Sequence, residues 1–305
     1  MQRYILRRLV QAVITILIVA TIIFFLARLS GDPLTLMMPH EASKEDWAAM
    51  RHKLGLDQPL YIQYFNWMKS MFRGDFGTSL KWDRPVSELI LERFPNTLQL
   101  AACAMAMILF FGLLVGILSA MRPGGWFDQF GKLFALLGQA MARFWLGILL
   151  ILVFSVTLGW FPTSGMGSLK QLVLPSVCLA SYSLAAMTRL TRSSMLDVLD
   201  TEYIKMARIN GLPERLVILK HALKNAMIPI VTLFSLQFVG LLSGSVVVET
   251  IFSWPGIGRL VVNGIFTRDY PLVQAIVFVV CCVFVFTNLL VDILYGYLDP
   301  RIRYQ

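Results

Sequence analysis

Six blocks of nearly unbroken apolar residues dominate the chain, at about 9–29, 97–120, 133–158, 172–190, 229–249 and 273–296, with the charges gathered in the segments between them. A bilayer core of ~30 Å takes roughly 20 residues of helix at ~1.5 Å per residue. Each block therefore predicts one membrane-crossing helix, although Arg143 interrupts the third and Asp292 falls near the end of the sixth. The expected fold class is an all-α polytopic membrane protein with six transmembrane helices, an even number that puts both termini on one side.

The connecting segments carry patterns of their own. In the long segment at about 30–93, Lys44 to Leu54 predicts a short helix ended by Gly55, and Tyr61 to Phe72 a second with apolar residues at helical spacing. Around 250–272, Trp254-Pro-Gly-Ile-Gly258 and Arg268-Asp-Tyr-Pro271 supply turn chemistry on either side of an apolar run from Leu260 to Phe266, which predicts a re-entrant or surface-lying hairpin. The segment 191–228 is basic and amphipathic. Glu202 to Ile209 reads as a helix, Gly211 and Pro213 break it, and a second helix from Glu214 to about Asn225 leads to Pro229 at the head of the fifth span.

Charge then orients the chain. Arg3, Arg7 and Arg8, Arg122 and Lys132, the basic residues of 191–228, and Arg301 with Arg303 all fall on one face if spans alternate. The excess of Lys and Arg in short cytoplasmic loops makes that face the cytoplasm, with both termini inside. A net charge of +9 thus reads as membrane orientation rather than as a nucleic-acid footprint, since the basic residues flank apolar runs in a chain that is 57% hydrophobic and 15% charged. The uncharged run from Leu9 to Ala27 is about a full span long and lacks a small-residue cleavage site, so it is expected to be a retained first span. Cys103, Cys178, Cys281 and Cys282 all lie in apolar runs, and neither a disulfide scaffold nor a zinc site is indicated.

Motor and enzyme chemistry find no footing. Gly131-Lys132 is followed by Leu133 and has Trp126 where a phosphate loop needs Gly, so no cradle of backbone amides forms and the chain is not expected to hydrolyse ATP. His40-Glu41 starts a zincin-like pattern, but Lys44 stands where the second His must be; His40, His52 and His221 read as surface residues. Arg143 is the most informative residue within a span, because a cation at a helix centre costs ~2.5–3.5 kcal/mol on insertion scales. It either faces the path or snorkels to the cytoplasmic interface. Asp292 and Glu249 read as packing or ion-pair residues rather than a proton relay, which would need a chain of partners. Gly112 with Gly116, and Gly240 with Gly244, allow close helix approach, within the chain or to a partner subunit. In 191–228, the apolar Tyr203, Met206, Ala207 and Ile209 exceed what a solvated loop needs and point to a protein-docking helix.

Several separated motifs resemble the type I ABC-transporter permeases, in the branch serving peptides and nickel. They are Gly31-Asp32-Pro33 after the basic leader and first span, Leu54-Gly-Leu-Asp-Gln-Pro59, Gly74-Asp-Phe-Gly-Thr-Ser79, Pro95-Asn-Thr-Leu98, Leu174-Pro175, and Arg189 with Arg192-Ser-Ser-Met195. Further on come His221 to Pro229, Glu249, Phe252, Pro255-Gly256, Asp269-Tyr-Pro271, Asp292 and Leu298 to Arg303, so the match spans nearly the whole chain. The family's coupling motif aligns with Lys205, Met206, Ala207 and Gly211, without its leading Glu and first Ala. A second departure is Ala142-Arg143-Phe144, where the family has Pro-x-Phe; the missing Pro predicts a less kinked third helix.

The resemblance implies a permease subunit with the type I importer fold, a helical periplasmic insertion at 30–93, a transmembrane core at 94–296 and a cytoplasmic tail at 297–305, in a bacterial inner membrane. It implies a homologous second permease, two ATPase subunits that bind ATP and Mg2+, and a substrate-binding protein outside, with membrane lipid around the chain and no cofactor bound by the chain itself. Coupling falls to Glu202, Tyr203, Lys205, Met206, Ala207, Arg208, Gly211 and Pro213, and the translocation path to Arg143, Phe144 and Ser243. Gly31, Asp32, Pro33, Pro229, Glu249, Pro255, Gly256 and Asp292 are expected to be structural. Peptides, glutathione and nickel or another metal chelate all remain open as cargo. A stand-alone ion-coupled carrier is the alternative class, and an intramembrane enzyme a third.

Overall fold

The structure is a computed structural model that describes residues 2–29, 43–53 and 55–298. Gly31, Asp32 and Pro33, like the C-terminal motif beyond Leu298, lie outside the described residues. Among those described, the fold is helical throughout, with a single isolated bridge between Thr78 and Pro85 in place of any strand. Helices α1 (Gln2–Leu29), α2 (Lys44–Lys53) and α3 (Leu60–Arg73) are followed by α4 (Val86–Met121), α5 (Trp126–Ala140) and α6 (Arg143–Leu150), which continues as a π-helical stretch, Ile151–Thr157. Then come α7 (Leu169–Leu199), α8 (Glu202–Ile209), the three-residue α9 (Glu214–Leu216), a second π-helical stretch (Val217–Ala222), α10 (Leu223–Ile251), α11 (Ile257–Phe266) and α12 (Tyr270–Leu298).

Among the described residues, five helical segments are long and apolar enough to cross a bilayer, and a sixth span exists if α5 and the helix from Arg143 to Thr157 count as one. Those two pieces meet at 112°, so the continuous third span expected at 133–158 is broken. The missing proline does not straighten it. Met141 (φ −83°, ψ 129°) and Ala142 (φ −63°, ψ 136°) are both extended, and the cause is tertiary. Gly138 lies against the Ser181 carbonyl of α7, where a Cβ would sit 3.1 Å from the oxygen, and Gly147 lies against Cys178, Ile251 and Phe252. Each half is thus docked by its own glycine, and the two linking residues take the geometry that is left. The Cys178 thiol, 3.3 Å from the Arg143 carbonyl, gives the start of α6 a partner.

A second expectation also changes. The segment from Glu214 is helical without a break into α10, so Pro229 sits inside the fifth span and not at its head. A π-helical stretch absorbs an extra residue per turn, and freed carbonyls near an intramembrane proline can be satisfied by local adjustment; the helix therefore does not need to end there.

The chain divides into two compact units, Met1–Pro95 with Gly256–Gln305, and Asn96–Pro255. In the first, α1 packs along α12, and Ala20, Ile23, Met68, Met71 and Phe278 bury together where α3 meets them. Arg8 pairs with Asp292 at 3.1 Å. A second apolar cluster joins Val86, Leu89 and Ile90 to Ile257, Leu260, Leu272 and Ile276. Asp269 is fully buried and caps α12 by accepting the Leu272 N–H (3.3 Å), while its other oxygen accepts from the Ser79 hydroxyl and the Lys81 N–H (3.2 Å). Its carboxylate therefore ties the 79–81 turn to a helix start.

The second unit is built on α4, α7 and α10. A Cβ at Gly112 would sit 2.5 Å from the Met187 side chain, and one at Gly116 equally close to Thr191, so both glycines serve packing within the chain, α4 on α7. At the end of α10, the Thr97 hydroxyl donates to the fully buried Glu249 (2.7 Å), the Asn96 side-chain amide donates to the Pro255 carbonyl (2.8 Å), and the Trp254 indole N–H donates to the Asn96 carbonyl (2.9 Å).

Candidate functional site

Helix α8 is two-sided. Ile204 is fully buried and Ala207 9% exposed, three residues apart on one face, packed with Val217, Ile218 and Ala222 of the π-helical stretch. The other face carries Tyr203, Met206 (57% exposed) and Ile209 (78% exposed), again at three-residue spacing. The sequence grouped Ala207 with the docking residues; the structure turns it inward. What remains is an apolar stripe on an otherwise charged element, held in place by its opposite face.

The helix ends in a rigid turn. Gly211 has φ +77°, its N–H reaches the Arg208 carbonyl (3.0 Å) and the Leu212 N–H reaches that of Ala207 (3.3 Å), the paired bonds of a Schellman ending. Pro213 follows at φ −65° and its carbonyl accepts from Leu216 (2.8 Å) and Val217 (3.2 Å), starting the next helix at once. Arg208 spans the turn to Glu214 (2.7 Å), and that carboxylate holds the guanidinium above its ordinary range. Lys205 sits between Glu202 (3.1 Å) and Asp200 (3.4 Å), which raise its ammonium pKa. Asn225 donates to the Tyr203 hydroxyl (2.6 Å) and to the His221 carbonyl (3.3 Å). Every joint between α8 and the head of α10 is therefore bonded.

Sequence reasoning missed the network that holds the other end. Asp128, in the first turn of α5, is fully buried; it accepts from Arg192 Nε (2.6 Å) and Nη2 (3.0 Å), from Lys132 Nζ (2.9 Å) and from the Gly124 N–H (2.9 Å). Arg192 lies two turns before α7 ends and α8 begins. The only sequence signal was the Asp128/Lys132 spacing of four residues, because the Arg192 partner lies 64 positions away.

Of the three path candidates, Arg143 and Phe144 begin the second half of the broken span, and Ser243 lies on α10 next to Gly244. Arg143 opens α6 and its guanidinium fills the space beside Gly244 on α10, where any Cβ would collide with it; it also lies 5.9 Å from the Tyr182 ring. Among the described residues it has no carboxylate partner. Phe144 and Ser243 are exposed. Gly240, one turn from Gly244, faces open space. Nearby, the Ser183 hydroxyl donates to Gln237 (2.7 Å), a further polar pair between α7 and α10.

Two family models cover the chain. Residues 112–304 match the binding-protein-dependent transport system inner membrane component, and residues 1–101 match the N-terminal region of the same kind of membrane component. The chain belongs to this family. It is a multi-pass membrane protein and a permease subunit of a binding-protein-dependent transport system. It is 45% identical to a glutathione transport system permease protein, GsiC, of Salmonella typhimurium, over the whole length of both chains. Over its whole length it is also 42% identical to all of an oligopeptide transport system permease protein, AppB, of Bacillus subtilis. Among solved structures, the inward-facing MetNI methionine ABC transporter has a chain that aligns with a TM-score of 0.56 at 18% identity, covering 69% of this chain and 96% of that one. That likeness confirms the fold of an ABC importer permease.

Proposed function

We propose that the chain forms half of the translocation path of an ATP-driven importer for peptide-like substrates, beside a homologous second permease, with two ATPase subunits on the cytoplasmic side and a binding protein outside. The relatives named for glutathione and oligopeptide transport support this cargo class over nickel or another metal chelate. On this reading both termini are cytoplasmic, the region 30–93 and the segment 250–272 lie on the outer face, and ATP and Mg2+ belong to the partner ATPases.

The observation that carries the proposal is the two-sided α8. Its outward stripe of Tyr203, Met206 and Ile209 would enter an ATPase subunit, while Ile204 and Ala207 anchor it to the base of α10. Closure of the ATPase pair would displace α8, and the bonded turn through Gly211, Pro213 and the Arg208–Glu214 pair would pass that displacement into α10 without slack. Along α10 the motion reaches Gly244 and the Arg143 seated against it. There a cation without a carboxylate partner would attract the carboxylates that peptides carry, with Phe144 and Ser243 lining the way.

Reconstitution tests this. The complete transporter in proteoliposomes should take up glutathione or trialanine only with ATP and binding protein, and Met206→Glu should abolish uptake while leaving membrane insertion of the chain intact. Undiminished uptake by Met206→Glu, or uptake by this chain alone, would overturn the coupling reading.

A further inference from the structure

In the first unit, the C-terminal end of α1, helix α3, the turn at 75–80 and the start of α12 line a half-open cavity of about 450 Å3, within the ~300–1,000 Å3 typical of small-molecule sites. Its lining is mostly apolar with a few polar groups, among them Arg28, Gln63, Asn66, Trp67, Asp75 and Gln274. The cation is held in place. Arg28 Nε donates to Gln63 Oε1 (3.2 Å), and Gln63 is itself fixed, its amide donating to the Leu56 (3.2 Å) and Gln58 (2.7 Å) carbonyls. The guanidinium also lies 3.7 Å over the Phe24 ring. Yet its partner is a neutral amide, and among the described residues no carboxylate neutralises it.

An unpaired donor lines the same cavity. The Trp67 indole N–H is buried and, among the described residues, has no acceptor, although the ring is wedged against Phe24 and Phe278. An unpaired buried donor costs about 1–3 kcal/mol, so its retention calls for an explanation. Among the described residues, Asp75 accepts only the Gly77 N–H (3.2 Å), and it is an exposed residue in the cavity lining. A guanidinium paired only with a neutral amide, an indole N–H without an acceptor among the described residues and an exposed carboxylate thus line one cavity.

We infer that this cavity binds a small zwitterion, its anionic carboxylate or phosphate received by Arg28 and the Trp67 N–H and its primary ammonium by Asp75. A pre-positioned guanidinium suits either anion, because its planar fork offers parallel donors without further loss of rotamer freedom. Two molecules bring that chemistry to a span end such as Arg28 occupies. One is the headgroup of phosphatidylethanolamine in the adjoining leaflet, and the other is a free peptide. The inference does not depend on how α8 couples to ATP.

The test uses the complete purified transporter. Phosphatidylethanolamine retention is read by native mass spectrometry and trialanine binding by equilibrium dialysis. The expected result is that one of the two probes binds saturably, one molecule per copy of this chain. Arg28→Gln and Asp75→Asn should each weaken that probe at least tenfold, and Trp67→Phe several-fold. The probe that responds identifies the source. If Arg28→Gln fails to assemble, Asp75→Asn decides alone, since its exposed side chain supports no packing. Binding of neither probe at this stoichiometry, or a tight complex that survives Asp75→Asn, would overturn the zwitterion site.

Discussion

Gly211 stands at the one backbone position in the coupling segment that an L-residue rarely adopts, φ +77°, and a Cβ there would meet nothing within 4 Å. Its requirement is therefore conformational and not steric. Gly211→Ala should cost about 1 kcal/mol of local stability and loosen the turn, seen as reduced uptake with normal insertion, whereas Gly211→Asn should retain more activity because Asn tolerates left-handed backbone. Equal activity for Ala and Gly would show that the turn does not transmit force. Elsewhere, His52 Nδ1 lies 2.6 Å from Asp57, and that carboxylate, through its hydrogen bond first, raises the imidazole pKa. The tie is complete below the ordinary His value of ~6.5 and is lost as pH rises through the raised folded value. Amide exchange in α2, corrected for intrinsic rate, should accelerate between pH 5.5 and 8.5, and His52→Gln should abolish the difference. The residue types here were legible in the sequence. The Lys205–Glu202 pair has the three-residue spacing of helix neighbours, but the inward turn of Ala207 was not legible, because it depends on which side of α8 meets the π-helical stretch.

At the scale of elements, the short helices followed from spacing and caps: Lys44–Lys53, Leu60–Arg73 and Glu202–Ile209 stand within a residue or two of their expected positions, whereas α4 and α7 run about ten residues beyond the apolar blocks at 97–120 and 172–190. The third span failed. No Gly-Pro pair marks Met141–Ala142, and the break arises because Gly138 and Gly147 dock on different neighbours. The pair Gly240 and Gly244 makes a matched prediction on α10. Gly244→Ala must displace the Arg143 guanidinium and should lower uptake severalfold, while Gly240→Ala, facing open space, should leave it near wild type. Transport assays on the two variants at equal expression decide whether the seat of Arg143 matters. Similar activity for both would detach Arg143 from function.

For the molecule as a whole, the Asp128–Arg192–Lys132 network fixes the start of α5 to the last turns of α7, just ahead of α8. Removing one partner of a fully dry ion pair costs ~3–5 kcal/mol. Lys132 is half exposed, so Asp128→Ala should cost nearer 2–3 kcal/mol. Thermal unfolding of the purified complex should show that loss, and the double variant with Arg192→Ala should recover part of it, since no unpaired, partly buried cation remains. Additive losses would mean the two residues act independently. The sequence alone determined that the chain is a helical membrane protein, how many apolar blocks it has, and which motifs place it in its family. These depend on composition and short-range periodicity, which burial in lipid imposes on each helix separately. Only the tertiary structure decided that the third span bends, that α8 turns Ala207 inward, that Pro229 stays within a helix, that Asp128 meets Arg192, and that Arg28 and the Trp67 N–H share a cavity. Those outcomes depend on contacts between distant positions, where the room left by a glycine or the reach of a guanidinium has no counterpart in the local pattern.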